Sequence, residues 1–221
     1  AALNKPKPKT LPMMEVSVTH FKPFFLGMLI CIAGYVLFYI MIAFSQIYAK
    51  SAPTVSEAGY AMGLGFSPQI FTALLMCSAI SLAITIAISG KYIDIVGRRI
   101  WLIWTTFGVA IFGLALPYFL DNGTTTSLFW FLMIGMGLIG MGYGPLASLL
   151  PELFPTHARY SGASLTYNIS GLFGASVAAI IALPLNANYG LKGVGIYLTL
   201  NAVLSLIGLW FITETKDKHL A

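Results

Sequence analysis

Long apolar runs alternate along this chain with short polar stretches. The runs lie at roughly Pro23 to Ala49, Pro68 to Ser89, Ile100 to Leu120, Thr126 to Leu150, Gly162 to Leu185 and Val194 to Thr213. Each is about twenty residues or more, enough to cross a ~30 Å hydrocarbon layer as a helix rising 1.5 Å per residue. None alternates apolar and polar with period two, as a membrane barrel strand would. In lipid every backbone polar group must find its partner within the chain, so the pattern predicts six membrane-spanning helices.

The punctuation between the runs agrees. Ser67-Pro68 reads as an N-cap followed by proline at the first helical position, and Pro23 also suits a helix start. Pro117 and the turn Asp121-Asn122-Gly123 close the third run. The fourth is rich in glycine, and Gly140 and Gly144 form a G-x-x-x-G step that admits a close helix neighbour. On the fifth, Ser164, Asn168, Gly171, Ala175, Ala178 and Ala182 recur at intervals of three and four, a small-residue stripe suited to packing. Residues 1–22, with Lys5-Pro6-Lys7-Pro8-Lys9, read as an extended linker, in which Met13 to His20 is a candidate lead-in helix. The expected organisation is a linker over 1–22, a transmembrane bundle over 23–213 and a tail over 214–221. The chain opens on Ala1 rather than methionine, which suggests a piece of a longer protein.

Composition points the same way. The 221 residues are 58% hydrophobic and 9% charged, with mean hydropathy +0.85, against about 25% charged in a soluble domain. The net charge of +5 does not indicate nucleic acid, because the basic residues sit in short loops. With six spans, ten of the twelve lysines and arginines fall on one side and only Lys50 and Lys192 on the other. The positive-inside bias then makes both termini, the Gly90–Arg99 stretch and the Glu152–Arg159 loop cytoplasmic. Cys31 and Cys77 lie inside apolar runs and form neither a disulfide framework nor a metal spacing. No acid, histidine or lysine lies in the middle of a span, where proton relays normally sit. Nothing in the sequence supports an enzyme, and no cofactor is implied.

Two polar stretches carry more than topology. Gly90-Lys-Tyr-Ile-Asp94-Ile-Val-Gly97-Arg98-Arg99 reads as a tight turn between the second and third spans. Its pattern, G-x-x-x-D-x-x-G-R-R, resembles the signature loop of the major facilitator superfamily, which occupies that place in each six-helix half. Pro151-Glu152 through Pro155, Arg159 and Gly162 resembles a second pattern of the superfamily, P-E-x-x-P-x-x-x-R-x-x-G. The wording from Leu150 to Ala163, the run Gly174-Ala175-Ser176-Val177 and the ending from Tyr197 to Thr215 are similar to the metabolite:proton symporters. That branch includes carriers of shikimate, 2-oxoglutarate, citrate, proline and betaine.

The resemblance implies an all-α membrane protein: six transmembrane helices forming the C-terminal half of a major facilitator superfamily fold. It implies secondary active transport of a small organic acid or zwitterionic metabolite across the cytoplasmic membrane, coupled to protons, by alternating access. The partners would be the lipid bilayer, the missing N-terminal six-helix half, the small-molecule substrate and protons bound by that missing half. Asp94, Arg98, Arg99, Glu152 and Arg159 would form a cytoplasmic gate against the missing half, with Asp94 at one of its helix N-termini and the arginines on its carboxylates. Gly90 and Gly97 would let backbones approach. The first and fourth spans would line the cavity. Tyr35, Tyr39 and Gln46, spaced to share one face, and Tyr143 are then the substrate-binding candidates, flanked by Tyr167 and Asn168. An uncoupled facilitator or exporter of the superfamily, and a truncated six-helix protein without transport activity, are the alternatives.

Overall fold

A computed structural model of the chain describes residues 18–212. Most of the expected linker, the tail, and Lys5, Lys7, Lys9, Lys216 and Lys218 of the charge count lie outside the described residues. The first helix, α1, is Phe21–Lys50, with a π-helical turn at Ile40–Phe44. Then come α2 (Pro68–Val96), α3 (Arg98–Leu120) and α4 (Thr125–Glu152). The last run, Arg159–Trp210, has 52 residues. As one rod it would be about 78 Å long, far beyond a bilayer core. Gly190 breaks it with φ 66° and ψ −170°, a conformation open in practice only to glycine. The arms are α5 (159–189) and α6 (191–210), which makes six spans of a multi-pass membrane protein. Among the described residues there is no β-strand, only an isolated bridge between Val55 and Ala61.

Two helix starts show their caps. Ser67 Oγ accepts the Ile70 N–H at 3.3 Å with Pro68 at the first helical position, and Thr124 Oγ1 accepts the Ser127 N–H at 3.2 Å. The expected loops, in contrast, are shorter than hydropathy implies. The Gly90–Arg99 stretch is not a ten-residue turn: α2 continues to Val96, α3 starts at Arg98, and Gly97 alone leaves the helix, at φ 102°. Likewise α4 reaches Glu152, α5 begins at Arg159, and α5 and α6 meet at Gly190. The reason is physical. Hydropathy marks where lipid ends, whereas a backbone ladder already formed continues into water until a residue such as Gly97 stops it.

Packing follows the small residues. The Gly140–Gly144 step lies on α2: a Cβ at Gly140 would strike Thr85 and the Leu82 backbone, and one at Gly144 would strike Ser89. Ser81 Oγ donates to the Met133 carbonyl at 2.9 Å across the same seam. Helix α6 packs on α3 through Gly195 and Gly113, with Thr199 Oγ1 donating to the Ala110 carbonyl at 3.0 Å. Ser205 ties α6 to α1 by donating to the Leu29 carbonyl and accepting the Ala33 N–H. Ser170 Oγ ties α5 to α1 through the Met28 carbonyl at 3.3 Å. The core gathers on α1, where Val36, Leu37, Ile40, Met41 and Phe44 are fully buried against Phe112, Phe131, Leu132 and Leu198. Helix α2 is the least covered; only Phe71, Ser78, Ser89 and Ile93 are buried.

The stripe on α5 divides. Ala178 and Ala182 are buried, while Ser164 and Asn168 are exposed. A π-helical turn at Leu172–Ser176 intervenes and shifts the register of the residues beyond it.

Candidate functional site

Six polar groups from α4, α5 and the loop between them face a vestibule of about 730 Å³: Tyr143, Thr156, Arg159, Tyr160, Ser164 and Asn168, with Tyr167 at its inner end. Tyr160, Ser164 and Asn168 repeat every four residues on α5, so one helix face supplies them. The Tyr143 and Tyr167 hydroxyls bond each other at 2.7 Å. The Tyr35 ring meets the Tyr167 ring at 5.1 Å between centroids, tilted by 55°, a favourable aromatic arrangement. Tyr35 is seated by two glycines of α5, since a Cβ at Gly171 would lie 3.2 Å from its ring and one at Gly174 would lie 2.6 Å from its Cβ. Three helices thus bring Tyr35, Tyr143 and Tyr167 together. Asn168 stands beside them, its Nδ2 donating to the Ser164 carbonyl at 2.8 Å.

The other two substrate candidates lie elsewhere. Tyr39 is one turn beyond Tyr35, with its hydroxyl 3.5 Å from the Ala179 carbonyl. Gln46 lines a separate groove with Lys50 and Ser51 at the opposite end of the bundle. The π-helical turn at Ile40–Phe44 falls between Tyr39 and Gln46, so the even spacing that placed them on one face does not survive it. Ser164, Tyr160 and Thr156 were not among the expected contacts; spacing by fours from Asn168 is the signal that finds Ser164 and Tyr160, while Thr156 lies in the loop before α5 and carries no such signal.

The end of the bundle that carries the arginines is held by its own charges. Arg98 bridges Asp94 at 3.3 Å and Glu152 at 3.5 Å. The Arg98 and Glu152 side chains are 16% and 14% exposed, but Asp94 is 69% exposed. The Arg98–Glu152 contact is therefore the less screened of the two. Arg99 donates from Nε to the Leu209 carbonyl at 2.9 Å and from Nη2 to the Trp210 carbonyl at 3.1 Å. It caps the C-terminus of α6, where the helix dipole favours a cation. Within this chain Arg98 and Arg99 both hold groups of their own bundle. Gly90 has nothing within 4 Å of a Cβ built on it, so any close approach it permits is not to this bundle. Arg159 Nε is buried and makes no hydrogen bond among the described residues.

The arrangement can recognise a small polar solute. Arg159 is the only charged residue in the described vestibule wall, which also holds hydroxyls, one amide and apolar residues such as Leu146 and Leu150. No group of three or more metal-ligating side chains occurs among the described residues.

Comparison with known proteins bears on this geometry. A family model described as "Sugar (and other) transporter" matches residues 61–221. A Haemophilus influenzae protein whose name assigns it to metabolite transport is 90% identical over all of this chain, which covers 49% of that relative. The inner membrane metabolite transport protein YhjE of Escherichia coli is 37% identical over 95% of the chain and 46% of its own length. The glycine betaine/proline/ectoine/pipecolic acid transporter OusA of Dickeya dadantii is 26% identical over 93% of the chain and 39% of its own length. The chain spans about half the length of the curated relatives it matches. No solved structure matches it.

Proposed function

Because the chain belongs to the sugar (and other) transporter family, within the major facilitator superfamily, we propose that it is the C-terminal half of a carrier for a small organic acid or zwitterionic metabolite. The carrier works in the cytoplasmic membrane by proton-coupled symport. The observation that carries this reading is the vestibule wall, in which one cation, Arg159, no acid, and tyrosine, serine, threonine and asparagine side chains stand among apolar residues such as Leu146, Leu150 and Pro151. Such a wall favours a carboxylate with further polar groups over a cation or a wholly apolar solute.

The described spans contain no carboxylate or histidine at mid-depth, so the proton is carried by groups outside this chain, in the other six-helix half. Both termini are cytoplasmic in this reading, which the excess of lysine and arginine on that side supports. Rocking of the two halves exposes the tyrosine cluster to each side in turn. Asp94 is the gate residue that reaches the other half, since it is the exposed member of the Arg98 network. Among the substrate-binding candidates, Tyr35, Tyr143, Tyr167 and Asn168 form the central group, while Tyr39 and Gln46 line the path toward the opposite end.

Uptake by the carrier, at the length its gene encodes and reconstituted in proteoliposomes, tests the proposal. Radiolabelled organic acids and amino acids accumulate when the outside is acid, and a protonophore abolishes the accumulation. Equilibration that ignores the pH gradient would make it an uncoupled facilitator. No uptake of any solute in the panel would leave a six-helix membrane protein without transport activity.

A further inference from the structure

Behind the tyrosines lies a second space, a recess of about 90 Å³ between α1, α3 and α4. No charged residue lines it, and its wall is mostly apolar, with Ile30, Leu37, Val109 and Ile139 among its residues. The Thr105 hydroxyl there is already spent on the Trp101 carbonyl at 3.0 Å. Tyr143, Leu146 and Tyr167 line both this recess and the vestibule, so the Tyr143–Tyr167 hydroxyl bridge stands at the passage between them.

Two glycines make the recess. Gly34 of α1 and Gly142 of α4 both line it. A Cβ at Gly34 would meet nothing within 4 Å, and one at Gly142 would meet only Thr105 Cγ2 at 4.0 Å. Neither has a positive φ. Packing therefore demands glycine at neither position, in contrast to Gly140 and Gly144, whose Cβ would collide with α2. Glycine in a helix interior is less favourable than alanine, so what these two residues provide is space.

The chemistry of that space selects its occupant. An apolar cavity stays dry and takes apolar guests; one of about 150 Å³ accepts benzene. A space of about 90 Å³ fits something smaller, such as a branched alkyl group of three or four carbons. A charged group would lose its hydration there with only the hydroxyls of Thr106 and the tyrosines to replace it. We propose that the recess is the subsite for the apolar end of the transported solute, with the charged end left in the vestibule among the tyrosines. This rests on the reading of the chain as half of a carrier of organic acids or zwitterions. The residues that line it here come from α1, α3, α4 and, through Tyr167, α5.

The test compares solutes that share a charged end and differ in the apolar one: valine against glycine, and isovalerate against acetate. Uptake is measured in proteoliposomes for the native carrier and for Gly34→Val and Gly142→Leu, which fill the recess. The filled variants are expected to raise the KM ratio of branched to short solute at least tenfold. A second readout needs no filled variant. Cys31 lines the recess, and with Cys77→Ser removing the other thiol of this chain, its modification by methyl methanethiosulfonate should slow at least fivefold with the branched solute and not with the short one. An unchanged KM ratio, or Cys31 reactivity indifferent to the solute, overturns the subsite. If the native carrier moves none of the four solutes, the transport reading falls and the subsite falls with it. Uptake of all four with an unchanged ratio overturns the subsite alone.

Discussion

The hydroxyls of Tyr143 and Tyr167 lie 2.7 Å apart, joining α4 to α5 at the inner end of the vestibule. They come from two helices that both pack on α1, α4 through Gly135 against Met41 and α5 through Ser170 on the Met28 carbonyl. One bond thus ties these two helices to each other at the place where the solute is proposed to bind. Removing either hydroxyl breaks the same interaction, so Tyr143→Phe and Tyr167→Phe should each cost about 1 kcal/mol of unfolding free energy. The double variant should cost little more than either alone, which a double-mutant cycle on detergent-purified carrier will read as positive coupling. Additive losses would mean that the two hydroxyls work separately.

The charges around Arg98 separate stability from gating. Asp94 is exposed and Glu152 is mostly covered. Asp94→Asn should change thermal stability by less than about 1 kcal/mol, while Glu152→Gln, which weakens a charge-assisted contact in a more sheltered place, should cost about 1.5–3 kcal/mol. If Asp94 also locks the carrier against its other half, Asp94→Asn will alter uptake rate and the accessibility of the vestibule despite its small effect on stability. Unchanged uptake and accessibility would reduce Asp94 to a residue that shapes the turn.

Glycines at similar places in the helices should respond in opposite ways. Gly140→Leu forces a side chain against the α2 backbone and should destabilise by about 1–3 kcal/mol or more. Gly34→Ala meets open space and should raise stability by up to about 1 kcal/mol. Melting of the two variants by fluorescence-detected size exclusion checks both signs. Equal losses at the two positions would contradict the packing described here.

The break between α5 and α6 depends on one residue. Gly190 holds φ 66° and ψ −170°, and a Cβ there would lie 2.6 Å from the Tyr60 ring. Gly190→Ala should therefore cost about 1–3 kcal/mol from backbone strain, with the ring contact adding to it. Tyr60→Ala in the same background should recover the contact's part of the loss but not the strain. Wild-type stability in Gly190→Ala would show that the turn tolerates a side chain.

How far the sequence reaches depends on the range of the interactions involved. Six apolar runs and the two patterned stretches at the arginine end are local properties, because transfer into lipid acts residue by residue along the chain. The Gly140–Gly144 step was legible for the same reason: its spacing alone creates a flat face. Helix ends at Val96, Glu152 and residue 189 were not, since a hydrogen-bonded ladder does not stop where lipid stops.

Tertiary structure decided the rest. The π-helical turns at Ile40–Phe44 and Leu172–Ser176 rotate everything beyond them, which carries Gln46 away from Tyr35 and separates Ser164 and Asn168 from Ala178 and Ala182. A regular period read along the sequence cannot register such an insertion, because a π turn changes the number of residues per turn at that point alone. Whether a glycine serves contact or space is also a matter of neighbours distant in the chain. Gly140 and Gly142 are two residues apart, yet only the position of α2 and Thr105 in space shows that one is filled against a helix and the other opens a recess.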